Sequence, residues 1–175
     1  MSKHLNSDIM IIIDIHTERG DIIMKSLIIY ISTEHKNTEK IAFQIGNKLK
    51  ADVVDAGKVK IEEIENYDVV GFGSGIFYGK FHKNILRLID GLPKLKDKKA
   101  FVFSTSGQGK AEYNDSLKEK LVEHGFNVIG SFASKGFDTY GPLKLIGGIA
   151  KGRPNEDDLK AAEAFAGELS EKMGE

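Results

Sequence analysis

Ser32, Thr33, Asn37 and Thr38 place three hydroxyls and an amide within one short stretch, with His35 and Lys36 between them. The stretch follows the apolar run Leu27-Ile28-Ile29-Tyr30-Ile31 and precedes Ile41, Ala42 and Ile45, which recur at helical spacing. A continuous apolar run reads as a strand buried on both faces. The polar break therefore sits between a strand's C-terminal end and a helix's N-terminus. Free backbone N–H groups and the helix dipole favour an anion at such a place. Hydroxyl donors, helix-start amides and the Lys36 charge together suit a doubly charged phosphate monoester. The break lacks the GxxxxGK[ST] spacing of a triphosphate loop and the GxGxxG of a dinucleotide loop. The competing role for Ser32, Thr33, Asn37 and Thr38 is to cap the helix that follows.

Two further breaks carry small and aromatic residues. Gly73 to Lys80 reads as a glycine-rich loop that presents Ile76, Phe77 and Tyr78 between Gly75 and Gly79. Planar ligands stack on such side chains, and the alternative is that the rings cover the core. Ser104, Thr105, Ser106, Gly107, Gln108 and Gly109 form the second break. Small residues there let backbone N–H and C=O groups approach a ligand edge. That suits a heterocycle whose rim carries carbonyls and N–H groups, such as the pyrimidine side of a flavin. His35 belongs to the candidate set by position. It and His82 also fit surface or packing roles, since no partner is visible in the sequence.

These breaks converge on one ligand only if the strands before them lie side by side. Strands are expected at Ser26 to Ile31, Asp52 to Asp55, Tyr67 to Phe72, Ala100 to Thr105 and Asn127 to Ala133. Helices are expected at about Thr38 to Leu49 and Phe81 to Asp90, around Leu117, Leu121 and Val122, and after Asn155. Ile61, Ile64 and Tyr67, at spacing three, suggest a short helix. Gly91 and Pro93 suit one helix stop, and Asn155 with Glu156, Asp157 and Asp158 suits a helix start. Residues 137–154 show no clear period, and a connection that long in a compact domain usually has a job or is disordered. Alternating strands and helices argue for an α/β fold, a doubly wound five-stranded parallel sheet with helices on both faces. Ligands of such sheets bind beyond the C-terminal strand ends where the strand order reverses. Residues 1–23 read as an N-terminal extension of uncertain structure, with Ile9 to Ile15 as a candidate extra strand. Residues 24–175 read as the single domain.

Composition removes several classes. The chain has 175 residues, 41% hydrophobic and 29% charged, and a formal net charge of −1. That balance argues for neither nucleic acid nor an acidic membrane surface. No cysteine is present, which excludes disulfides, thiolate nucleophiles, cysteine-ligated iron–sulfur clusters and zinc ribbons. The five histidines show no HxxxH or HxH pair, which argues against a dedicated metal site. No apolar run approaches the roughly 20 residues a membrane span needs. The expectation is a cytoplasmic protein. A phospho-receiver module would need a phosphorylatable Asp and acidic metal ligands at strand ends, where this chain has Ser32-Thr33 and Gly73-Ser74.

The motifs in order resemble the flavodoxin family. SxxxxNT followed by EKIA is similar to its FMN phosphate loop, GSGIFYGKFHKNI to its second flavin loop, and FSTSGQG to its third. The resemblance spans about Lys25 to Lys172. It implies strand order 2-1-3-4-5, non-covalent FMN at the switch point, and electron transfer between redox partner proteins. It implies phosphate contacts from Ser32, Thr33, Lys36, Asn37 and Thr38, with flavin contacts around Gly75 to Gly79 and Thr105 to Gly109. It also implies a backbone peptide near flavin N5 that flips on reduction, which the glycines of the second loop permit. Lys36 stands where the family pattern has glycine, and the loop is one residue longer. GIFYGKFHKNI also resembles the flavodoxin-like protoporphyrinogen oxidases. An FMN-dependent oxidoreductase, of that kind or a quinone- or NAD(P)H-linked reductase, is therefore the alternative to an electron carrier.

Overall fold

The computed structural model describes residues 24–174. The extension at residues 1–23, with its candidate strand, lies outside the described residues. The chain order is β1 (Ser26–Ile31), α1 (Asn37–Leu49), β2 (Asp52–Asp55), β3 (Val69–Phe77), β4 (Lys80–Phe81), α2 (Lys83–Asp90), β5 (Lys98–Ser106), α3 (Asp115–Glu123), β6 (Phe126–Lys135) and α4 (Glu156–Met173). Strands β2-β1-β3-β5-β6 are parallel neighbours in that order, and β4 pairs antiparallel with the end of β3. The expected five-stranded, doubly wound architecture is present, with β4 as an added hairpin strand.

Alternation along β1 divides the core into two layers. Leu27, Ile29 and Ile31 point to one face, where Ile85 and Ile89 of α2 and Leu117 and Leu121 of α3 pack. Ile28 and Tyr30 point to the other, beneath Ile41 and Ile45 of α1 and Ala162, Phe165 and Leu169 of α4. Each fully buried aliphatic side chain contributes about 1.5–3 kcal/mol relative to exposure, so both faces stabilise the sheet. Gly71 and Gly73 of β3 lie under the rings of Phe101 and Phe103. A Cβ at either glycine would fall 2.2 Å and 2.1 Å from those rings.

Two expectations are corrected. β3 does not end at Phe72: it runs to Phe77, because Gly73 lies under Phe103 of β5 and Gly73 to Gly75 remain in the ladder. The second helix starts at Lys83 rather than Phe81, since Phe81 belongs to the hairpin and His82 is its cap. The short helix expected from Ile61, Ile64 and Tyr67 is present as the 3-10 segment Ile61–Asn66, with Ile64 buried and Tyr67 just past its end. Among the described residues no helix is long and apolar enough to cross a membrane.

Candidate functional site

β1, β3 and β5 end in register, with Ile31 beside Ser74 and Gly75 beside Thr105. The segments leaving these ends, together with the one after β6, border a narrow open cleft of about 50 Å³. It lies where chain order along the sheet reverses, between β1 and β3.

The first loop forms one end of the cleft. His35 and Lys36 both adopt left-handed backbone, with φ of 59° and 55°, and so turn the chain into α1. No side chain caps α1; its first main-chain turn closes from the Lys40 N–H to the Lys36 carbonyl at 3.1 Å. The N–H groups of that turn therefore have no intrahelical partner. Capping is not the work of the loop's polar residues. The Ser32 hydroxyl is buried and makes no hydrogen bond. Asn37 Nδ2 donates to the Phe137 carbonyl at 2.8 Å, while Asn37 Oδ1 is buried without a partner. Thr38 and Thr105 join hydroxyls at 2.8 Å. Thr33 and His35 line the cleft. The Lys36 ammonium pairs with Glu39 at 3.2 Å outside the cleft lining. Glu39 also accepts from the Tyr30 hydroxyl at 3.3 Å. Burial, then Glu39, raises the Tyr30 pKa above its ordinary value.

Gly75, Ile76 and Phe77 form a second wall as the end of β3. Tyr78 (φ 49°) and Gly79 (φ 78°) make the two-residue turn into β4, whose primed geometry matches strand twist. Tyr78 is 77% exposed and stands beyond the wall, as does Gly79. The Phe77 ring meets Tyr140 edge-on at 5.0 Å and His82 at 5.5 Å. His82 Nδ1 accepts the Asn84 N–H at 3.2 Å, and so caps α2. Burial, and secondarily Lys83, lowers the His82 pKa, so the neutral acceptor form prevails.

Thr105 and Ser106 supply the third wall. Ser104 is buried within β5. Ser106 Oγ accepts the Gly109 N–H at 2.8 Å, and Gln108 accepts from the Tyr113 hydroxyl at 2.7 Å. Gly107 backs onto Ile149, 2.4 Å from where its Cβ would stand. Gly107, Gln108 and Gly109 thus form a turn beside the cleft, and Gly107 gives the segment after β6 room to close.

That segment is the part of the site that residue spacing does not reveal. Phe137, Asp138, Thr139 and Tyr140 line the cleft, with Glu34 opposite. Asp138 and Ile149 exchange main-chain hydrogen bonds at 3.0 and 2.9 Å, which ties residues 138–149 into a strap. The strap is fastened to the first loop. The Thr139 hydroxyl donates to Glu34 at 2.9 Å and lies 2.9 Å from His35 Nε2. With its only proton directed to Glu34, Thr139 accepts from Nε2–H. The His35 ring also packs on Phe137, with centroids 4.4 Å apart. Two signals in the sequence bore on it: the length of residues 137–154 without a period, and the place of Phe137 to Tyr140 after a strand's C-terminal end, as with the other three loops.

The chain's likenesses agree with this layout. A family model for the flavodoxin domain matches residues 27–134, more than half of the chain. An uncharacterized protein of Methanocaldococcus jannaschii is 50% identical over 145 residues, which cover 82% of this chain and 96% of the relative. Among solved structures, a flavodoxin from the domain Archaea superposes with a TM-score of 0.66 at 20% identity, covering 87% of this chain and all of that one. Flavodoxin 2 of Bacillus cereus gives a TM-score of 0.62 at 23% identity, over 85% of this chain and 99% of the other. At these identities the two structures speak to the fold. The domain match and the half-identical relative go further: the chain belongs to the flavodoxin family.

Proposed function

We propose that this chain binds FMN non-covalently in the cleft and carries electrons between redox partner proteins in the cytoplasm. The observation that carries the reading is the uncapped start of α1 beside the buried, unbonded Ser32 hydroxyl. A phosphate monoester would satisfy both at once: first-turn N–H groups and hydroxyl all donate, and the helix dipole adds attraction. The lone Asn37 Oδ1 needs a donor, which suits a hydroxyl of a ribityl chain next to the phosphate.

Bound there, the flavin would supply reversible electron uptake and release. The chain's residues do the rest. Ser32, Thr33, Asn37, Thr38 and the α1 amides hold the charged end. Gly75, Ile76 and Phe77 on one side and Thr105 and Ser106 on the other flank the ring. Phe137 to Tyr140 shield it from water, with the strap fastened by Glu34, Thr139 and His35. Lys36 lends long-range positive charge that Glu39 partly offsets. One relative in fold, from Megasphaera elsdenii, is described as a two-electron-reduced flavodoxin, in keeping with a redox role.

A second reading, an FMN-dependent oxidoreductase, draws on a groove of about 500 Å³ beside the cleft, which shares Thr33, Glu34, Phe77 and Tyr140 with it. Such a groove offers room for a quinone or nicotinamide ring. Mass analysis of any cofactor released from the purified protein tests the first reading; a yellow protein that releases FMN is expected, and a colourless protein that takes up no added flavin would refute it. Multiple turnover with NAD(P)H and a quinone would favour the second.

A further inference from the structure

The cleft at the strand ends spans about 50 Å³, whereas a pocket that buries a fused-ring ligand spans about 300–1,000 Å³. The sides that make it narrow are not equivalent. The ends of β1, β3 and β5 are held in register by the sheet and backed by two buried layers. The strap after β6 has no such backing at its tip. Gly141–Ile146 contains no buried residue, and Leu145 and Ile146 are 90% and 70% exposed. An element with so little buried apolar contact opens at low free-energy cost.

The tip carries its own hydrogen bonds. The Tyr140 N–H donates to Asp138 Oδ1 at 2.9 Å, and the Gly148 N–H donates to the Leu143 carbonyl at 2.8 Å. The paired main-chain bonds between Asp138 and Ile149 mark its base. Gly147 and Gly148, with φ of 80° and 86°, lead back into that base, and a Cβ at Gly147 would meet nothing within 4 Å. Residues 139–148 can therefore swing as one body about the Asp138–Ile149 pair.

Few contacts hold the tip down. The Thr139 hydroxyl bridges Glu34 and His35 Nε2, each at 2.9 Å. The Tyr140 ring meets Phe77 at 5.0 Å and Tyr78 at 5.3 Å. Phe77 belongs to the β3 wall, so its contact with Tyr140 closes the cleft directly. Glu34 and His35 are exposed, so breaking the Thr139 bonds strands no buried polar group.

We propose that residues 139–148 are a gate on the cleft, latched by Thr139 to Glu34 and His35, and that the latch sets how fast a flavin enters and leaves. The identity of the ligand rests on the FMN reading of the cleft, whereas the latch belongs to the chain alone. The tip lifts, Tyr140 parts from Phe77, the ring passes, and the same contacts close behind it. Phe137 stays with the base. Its carbonyl accepts from Asn37 Nδ2 at 2.8 Å, and its N–H donates to the Arg153 carbonyl at 2.9 Å. Opening the gate thus leaves the phosphate corner as it is.

Stopped-flow fluorescence of flavin-free protein mixed with FMN tests the gate. The uptake rate should level off as FMN concentration rises, because opening limits entry. Thr139→Val removes both latch bonds, each worth about two- to tenfold. It should raise the plateau and the exit rate by about tenfold each, with a smaller change in Kd. An uptake rate linear in FMN throughout, or a plateau that Thr139→Val leaves unchanged, would overturn the proposal. Exit quickened with entry unaltered would also overturn it, since Thr139 would then be a wall contact and no latch.

A second measurement needs no flavin. The chain has no cysteine, so Leu145→Cys on the tip and Lys40→Cys on α1 can carry the only two spin labels. Pulsed electron–electron double resonance should give one narrow distance distribution in the latched protein. Thr139→Val should add a longer, broader component, and identical distributions would overturn the gate. Protein that takes up no FMN, yet shows the longer component in Thr139→Val, would refute the cleft reading and support the gate. FMN uptake with identical distributions would do the reverse.

Discussion

Thr38 and Thr105 are 67 residues apart in sequence, and their buried hydroxyls share a 2.8 Å hydrogen bond. This bond links the first turn of α1 to the end of β5, and so sets the phosphate corner against the third wall of the cleft. Thr38→Val leaves the Thr105 hydroxyl buried and unpaired, at a cost of about 1–3 kcal/mol. Removal of both hydroxyls should cost less than the sum of the single losses. Denaturant unfolding of Thr38→Val, Thr105→Val and the double variant closes the cycle. Simple additivity would mean that the bond contributes nothing to the apo fold.

Lys36 occupies left-handed backbone (φ 55°), where a side chain costs about 1–2 kcal/mol. Lys36→Gly should therefore leave the flavin-free protein as stable as before or more so, despite the looser unfolded chain. Its exposed pair with Glu39 contributes little to oppose this. Lys36→Glu should weaken FMN binding more than riboflavin binding, since only FMN carries the phosphate it would repel. Equal losses for both ligands would remove Lys36 from any electrostatic role.

His82 caps α2 through a neutral ring nitrogen, and burial followed by Lys83 lowers its pKa. Because the folded pKa lies below the unfolded one, the unfolded chain binds the proton more readily. The contribution of His82 is present in full above about pH 6.5, the ordinary histidine value. It is lost as pH falls from there through the folded pKa. His82→Asn keeps a capping acceptor that does not titrate. Its unfolding midpoint should fall less steeply than that of the parent across this window. Parallel pH profiles would contradict the assignment.

Asp158 is 7% exposed, and its burial favours the protonated form. The Arg153 hydrogen bonds and the Asn155 N–H outweigh burial and hold its pKa below the ordinary value. Its ionised form also completes the capping box with Asn155. The stabilisation is thus present above about pH 3.9 and lost as pH falls through the folded pKa. Asp158→Asn should lower the unfolding midpoint at pH 7, and the gap from the parent should close towards pH 3. A gap independent of pH would show that the charge is not what matters.

The legible parts of this molecule are those written in local pattern. The apolar run at Leu27 to Ile31 and the helical stripe of Ile41, Ala42 and Ile45 specify β1, α1 and the loop between them. Asn155 and Asp158 announce the start of α4, and both caps are present. Gly73 to Gly75 misled because glycine normally signals a break. Here Gly73 answers to Phe103 on the neighbouring strand and Gly75 pairs with Thr105, contacts no local window contains. Thr139 is 104 residues from His35, and residues 137–154 have no period. Their place over the cleft comes from Gly107 yielding room to Ile149 and from Asp138 pairing with Ile149. Ser32 was legible as a donor, but whether it capped α1 or stayed free required the geometry.

The central claim is that the corner around Ser32 grips a phosphate. Fluorescence-quenching titration of flavin-free protein with FMN and riboflavin, for the parent and Ser32→Ala, tests it most directly. A hydrogen bond to a charged group contributes about 1.5–3 kcal/mol, which corresponds to roughly 10- to 150-fold in affinity. The parent should prefer FMN to riboflavin, and Ser32→Ala should shrink that preference by about that factor while leaving riboflavin binding nearly unchanged. Equal affinity of the parent for both ligands, or a preference untouched by Ser32→Ala, would contradict the account.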